Sequence, residues 1–155
     1  MARRKITTIK TQYKDKKPNY EIRMEINLDR FEKQYNKAQF GLDSRVMAGM
    51  VPYMPMQTGT FINVTKAMSA ALAGSGLVVA AAPPMGRFLY EGKVMVDPET
   101  NSPWARKGAK KVVTERDLDY FKGRHPKATD HWFDVAKKEY GDDWVAYVKK
   151  VAGGG

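Results

Sequence analysis

Two prolines three residues apart, in the stretch VPYMPMQTGT at 51–60, constrain this chain more than any other feature. Ahead of them, Phe31, Tyr35, Ala38, Leu42, Val46 and Met50 recur at steps of three or four, which places them on one stripe of an amphipathic helix. Asn27 or Asp29 can cap its start, because a short side-chain oxygen accepts the unpaired backbone N–H groups there. Gly41 and Gly49 weaken this helix. Pro52 and Pro55 end it, since proline donates no hydrogen bond and crowds the preceding turn. Gly59 then provides a position where the backbone can turn with positive φ. Whatever the chain builds must therefore turn a corner between 51 and 60.

The other segments follow from periodicity. YEIRMEINL at 20–28 alternates strictly, with Ile22, Met24, Ile26 and Leu28 on one face and Glu21, Arg23, Glu25 and Asn27 on the other, which is the pattern of a half-buried strand. Residues 60–73 and 76–82 read as two strands joined at Gly74-Ser75-Gly76, although the alanines and methionines of the first also suit a helix. PPMGRFLYEG at 83–92 has a proline for a first helical turn and Gly92 for a stop. Beyond it lie two short extended segments around Asp97-Pro98 and Asn101-Ser102-Pro103, a long turn-rich excursion of the kind that is usually functional or mobile. From Thr129 or Asp130 onward, Trp132, Ala136, Tyr140, Trp144, Val148 and Val151 keep helical spacing. Gly141 leaves open one helix or two, the second capped by Asp142 or Asp143. The expected fold is α+β: a single domain over 20–152 with an antiparallel sheet packed against a long N-terminal helix and a C-terminal helix. A basic arm (1–19) and a flexible glycine tail (153–155) complete it.

With 155 residues, 43% of them hydrophobic, the chain is long enough for one real core. Its longest apolar run, LVVAAAPPM at 77–85, falls far short of the ~20 residues that span a bilayer. The start MARRKITTIK lacks the apolar stretch of a secretory signal, so export is not expected. With no cysteine, disulfides, thiolate metal sites and cysteine nucleophiles are excluded together, which fits a reducing interior or a particle assembled there. The net charge of +10 is concentrated. Arg3, Arg4, Lys5, Lys10, Lys14, Lys16 and Lys17 face only Asp15 in the first 17 residues, and Arg106, Lys107, Lys110 and Lys111 form a second cluster. Such clusters attract polyanions, with binding that falls steeply with salt. They are equally the pattern of a solvated, solubilising surface.

Signatures of catalysis are weak. His125 and His131 are six residues apart with Pro126 between them, not at the spacing that sets two rings on one helix face. Asp117, Asp119, Asp130 and Asp134 lie near enough in sequence to imagine a hydrolytic metal site, yet Asp117 and Asp119 sit in a charged stretch and Asp130 reads as a helix cap. GSG at 74–76 is not the G-x-S-x-G elbow of a serine nucleophile, and neither phosphate-cradling glycine motif occurs. The expectation is no enzyme, no metal and no cofactor. Trp132, Phe133, Tyr140 and Trp144 read as core. Met47, Met50, Met54, Met56, Met68 and Met85 suit either loose core filling or a pliant contact surface.

Three blocks, in order, resemble the small minor capsid or neck proteins of long-tailed bacteriophages, related to the tail-completion proteins of lambda-like phages. PYMPMQTGTF at 52–61 is similar to the family's P-x-x-T-G-x-L pattern through Pro55, Thr58, Gly59 and Phe61. APPMGRFLYEG at 82–92 resembles its Tyr-Ala-Arg-Tyr-hydrophobic-Tyr-x-Gly segment through Arg87, Phe88, Leu89, Tyr90 and Gly92, departing from it at Pro84, Met85 and Gly86. HPKATDHWFDVAKKEY at 125–140 is like the closing Pro-x-Ala-x-x-x-Trp-Phe-x-x-Ala helix through Pro126, Ala128, Trp132, Phe133 and Ala136. The resemblance implies a virion protein assembled in the host cytoplasm. It would form a ring of six subunits at the head-tail joint, between head-completion or connector proteins and the tail tube or tail terminator, with DNA passing through.

On that reading 51–61 is a stiff corner leading from helix into sheet. Its exposed Tyr53, Met54, Pro55, Met56, Thr58, Gly59 and Phe61 would meet a neighbouring subunit, together with Arg87, Tyr90 and Trp104. Arg3, Arg4, Lys5, Lys10, Lys14, Arg106, Lys107, Lys110 and Lys111 would meet an acidic partner or DNA. The competing expectations are a free basic nucleic-acid-binding protein and a small metal-dependent hydrolase.

Overall fold

A computed structural model describes residues 29–153; the strand expected at 20–28 and the basic arm lie outside them. The described residues form an α+β domain. In chain order it comprises α1 (Asp29–Met50), a short 3-10 turn (Val51–Tyr53), α2 (Thr60–Ala71), α3 (Gly86–Glu91), β1 (Lys93–Val96), β2 (Val112–Asp117) and α4 (Trp132–Ala152). β1 and β2 pair antiparallel, with Met95 opposite Val113 and Val96 opposite Val112 and an irregularity between Lys93 and Met95. β1 leans on α3, which connects the small sheet to the helical body.

The long helices α1 and α4 pack on one another as the main layer. Their approach is close because α1 presents glycines at the crossing. A Cβ at Gly49 would sit 2.9 Å from the Trp144 ring, and one at Gly41 would overlap the Tyr147 hydroxyl. The glycines that weaken α1 as a helix are thus what lets α4 lie against it, and Arg45 covers the Tyr147 ring at 4.1 Å. With Gly41 opposite Tyr147, the first turns of α1 lie beyond the last residue of α4. Phe31 and Tyr35, expected on the buried stripe, are accordingly more than half exposed, and burial begins at Ala38. α4 is a single helix that runs through Gly141. Its expected cap, Asp130, is not used: His131 precedes the helix in the left-handed region (φ 40°), and its N–H donates to the Tyr90 carbonyl.

The main correction concerns 60–82. The segment read as a first strand is α2. Ile62, Thr65 and Ser69, spaced three and four apart, are its buried residues, and its alanines carry high helix propensity. The partner segment, 76–82, forms no strand. Side chains of α2 hold it instead. The Ser69 hydroxyl donates to the Val79 carbonyl and accepts the Val79 N–H, both at 3.0 Å, and the Thr65 hydroxyl accepts the Ala82 N–H. The turn at 74–76 exists, with Gly74 and Gly76 both at positive φ. The buried carboxylate of Asp43 on α1 fastens it by accepting the N–H groups of Gly74 (2.7 Å) and Gly76 (3.2 Å).

The corner at 51–59 closes the core. Met47, Met50, Tyr53, Met54, Ile62, Trp132, Ala136 and Trp144 form its centre. Gly59 stands ahead of α2 at φ 86°, and a Cβ there would meet the Met56 methyl at 3.1 Å. A β-branched residue is strained in that conformation, so Gly59→Val is expected to lower stability by ~1–3 kcal/mol, read as a drop in the urea midpoint.

Two tyrosines report the packing. The Tyr53 hydroxyl donates to Glu139, and that bond, reinforced by burial, raises its pKa well above the ordinary value. Tyr120 donates to the Leu89 carbonyl at 2.5 Å and is pushed up to about 12 by burial, then by Asp130 and Asp117. A raised native pKa means the stabilisation is complete below the free tyrosine value near 10 and is lost as pH rises through the native value. Absorbance titration at 295 nm is therefore expected to find at least two tyrosines that keep their protons well beyond pH ~10, and stability that falls in the same alkaline window.

Candidate interaction surface

The turn-rich excursion between β1 and β2 is ordered by one side chain. Asp97, the residue after β1, is fully buried. Its Oδ1 accepts the backbone N–H groups of Glu99 (2.9 Å) and Thr100 (3.3 Å). Its Oδ2 accepts the backbone N–H and the Nε–H of Arg106, at 3.2 and 3.0 Å. Main-chain bonds from Asp97 N–H to the Ser102 carbonyl and from Asn101 N–H to the Asp97 carbonyl tighten the same turn, with Asn101 in the left-handed region. Arg106, followed by the amides of Glu99 and Arg106, holds the Asp97 carboxyl well below the usual carboxylate range. Short polar side chains satisfying neighbouring backbone groups are the usual way a loop gains a fixed shape.

Trp104 sits on that scaffold, with its N–H donated to the Ser102 hydroxyl and 81% of its surface exposed. It is the most exposed of the large hydrophobic residues described. Arg106, expected among the polyanion-binding cations, is paired with the buried Asp97 and with Glu99, while about half of its side chain stays exposed. Lys107 and Lys110 are exposed. Lys111 lies over the Phe88 ring at 5.2 Å. Arg3, Arg4, Lys5, Lys10 and Lys14 lie outside the described residues.

The other expected contact residues divide. Tyr53 and Met54, expected on the outside, are internal, because the corner folds back under α4 and the Thr129 N–H donates to the Tyr53 carbonyl. Gly59 is buried, Pro55 and Met56 are half-buried, and Thr58 and Arg87 are exposed. Phe61 packs edge-on against Trp132 at 5.9 Å, and Tyr90 lies between Trp132 (4.9 Å) and His131 (5.1 Å). His125 and His131 have separate tasks: His125 Nδ1 is 2.8 Å from the Met54 carbonyl, tying down the corner, while His131 leads into α4. Among the described residues no group of three His, Asp or Glu side chains is arranged to hold a metal, and no helix is long and apolar enough to cross a membrane.

One surface was visible in the sequence only through Met68. Val64 and Met68 on α2 and Leu72 directly after it, four residues apart, are all exposed. On a different face of α2, a groove of about 370 Å³ between α1 and α2 is lined by Asp43, Met47, Val51, Lys66, Ala70 and Ala73 among others. The signal was the four-residue spacing, which is invisible once 60–73 is taken as a strand.

No protein-family model, curated protein or solved structure matches this chain. What the surface is for therefore has to be argued from its geometry.

Proposed function

We propose that the protein is a structural subunit of a tailed-phage virion, forming a ring at the head-tail joint and acting by assembly rather than by catalysis. The observation that carries this reading is Trp104, left four-fifths exposed on a loop that a buried aspartate holds in shape. Tryptophan is among the residue types that dominate binding energy once buried in a partner. A loop already fixed loses little conformational freedom on docking. Closed rings need two different patches per subunit, one meeting the other on the next copy. The Trp104 loop and the exposed apolar stripe of α2 are two such patches on separate elements. The resemblance of 52–61, 82–92 and 125–140 to neck proteins supports the choice of particle, with connector and tail proteins as the neighbours above and below.

The test is direct imaging of the purified protein by negative-stain electron microscopy, with native mass spectrometry for the subunit count. Closed rings, six-membered on this reading, are the expected result. A monomer at every accessible concentration that shifts duplex DNA with a steep salt dependence would replace this reading with the nucleic-acid one.

A further inference from the structure

Among the described residues two charged side chains are buried, Asp43 and Asp97. A carboxylate taken out of water is unfavourable unless hydrogen bonds replace its hydration, and in both cases a surface turn supplies them. Asp97 shapes the loop that carries Trp104. Asp43, on α1, does the same for the exposed turn at 74–76. Its Oδ2 accepts the N–H groups of Gly74 and Gly76 at 2.7 and 3.2 Å, and its Oδ1 accepts the Gln39 amide at 2.7 Å. The Ser75 N–H, donated to the Leu72 carbonyl, closes the turn.

Large apolar side chains stand around this turn. Leu72 precedes it, Leu77 follows it, and Phe40 of α1 lies beside it, its ring 3.8 Å from where a Cβ of Gly74 would be. Phe40 and Leu77 are each more than half exposed, and Leu72 is more than a third exposed. Leu72 also ends the exposed α2 stripe of Val64 and Met68. The turn is therefore a second apolar contact with a fixed shape.

Charge decides what suits it. Each copy carries +10, so two copies approach most easily where cations are scarce. From 46 to 86 the sequence holds one charged residue, Lys66, and depletion of charge with retained methionine is the composition of an interface core. The charged neighbours of Phe40 one turn away along α1, Lys37 and Asp43, are of opposite sign. The Trp104 loop bears the exposed Lys107 and Lys110, which a cationic face would repel and this one does not. Both loop and turn are already ordered, so joining them fixes little on either side.

We infer that Trp104 of one copy seats against Phe40, Leu72 and Leu77 at the Asp43 turn of the next. Loop and turn are different parts of the chain, so each copy gives to one neighbour and receives from another, a head-to-tail contact that closes into a ring when the rotation allows. The inference deepens the self-assembly reading, by naming the surface that receives Trp104, and rests on it.

The absence of cysteine makes the test clean. Full-length Ala105→Cys, next to Trp104, is mixed with Ser75→Cys, at the tip of the turn, and oxidised with copper-phenanthroline. Lys138→Cys, exposed on α4, serves as the reference partner. The expected result is a mixed disulfide dimer that forms at least tenfold faster with Ser75→Cys than with Lys138→Cys. That preference is expected to vanish when the Ser75→Cys chain also carries Leu77→Ala, a change at an exposed site that leaves the melting temperature unaltered. Equal rates with both partners, or a preference that survives Leu77→Ala, would overturn the inference. So would a Ser75→Cys homodimer that outpaces the mixed dimer, since the turn would then meet its own counterpart across a twofold axis. If rings are seen in the same preparation while the preference is absent, only this docking falls. If the preparation is monomeric throughout, the self-assembly reading falls with it.

Discussion

Trp132→Ala is expected to lower the unfolding free energy by ~3–5 kcal/mol, enough to leave a domain of ordinary stability, about 5–15 kcal/mol, close to unfolding at physiological temperature. Trp132 is fully buried at the start of α4, with Phe61 of α2 and Tyr90 of α3 both edge-on to its ring. Its indole N–H donates to the Ala80 carbonyl at 2.9 Å, so it also fixes the segment that α2 holds only by hydroxyl groups. One side chain thereby joins three helices and a loop. Trp132→Phe separates the two contributions, since it keeps most of the apolar contact and leaves the Ala80 carbonyl without its donor, at a cost of about 1–3 kcal/mol. Urea denaturation followed by far-UV circular dichroism measures both. A loss below 1 kcal/mol for the alanine variant would mean that the core is not organised around this ring.

Asp97→Ala is expected to release the excursion between β1 and β2. The substitution removes the acceptor for three backbone N–H groups and the Arg106 guanidinium together. The amides of Glu99, Thr100 and Arg106 should then exchange with solvent faster by a factor on the order of ten or more, while those of α1 and α4 change little. Because the Asp97 pKa is depressed in the folded protein, its contribution is complete above the ordinary carboxylate value near 4 and is lost as pH falls from there toward the depressed value. The wild-type loop should therefore loosen only in strong acid, and Asp97→Asn should abolish that pH dependence. Amide exchange by NMR across the acid range is the measurement. Unchanged protection in Asp97→Ala would show that the turn holds itself without the carboxylate.

Where periodicity and stop signals agreed, the fold could be read in advance. The stripe from Ala38 to Met50 and its break at Pro52, the run from Trp132 to Val151, and the Gly92 stop of α3 all specify local structure through residues that act on their own neighbours. Residues 60–73 misled because Phe61, Ile62, Val64 and Thr65 carry strand propensity while Ala67, Ala70 and Ala71 favour a helix. The burial of Ile62, Thr65 and Ser69 against distant parts of the chain decided between them. The candidate surface divides on the same line. Trp104 and the turn chemistry around it were visible as a loop signal. That Arg106 would pair with Asp97, or that Tyr53 and Met54 would lie inside, depends on contacts across the fold that spacing cannot show.

If the exposed unusual residues of this protein serve contact between copies, as proposed, sedimentation velocity of wild type against Trp104→Ala over a range of concentrations will separate the two proteins. Both proteins are expected to melt at the same temperature, since Trp104 contributes little to its own fold, and the variant to assemble at least ~30-fold more weakly, as removal of an interface hot spot does. Identical sedimentation of the two proteins at every concentration would contradict it.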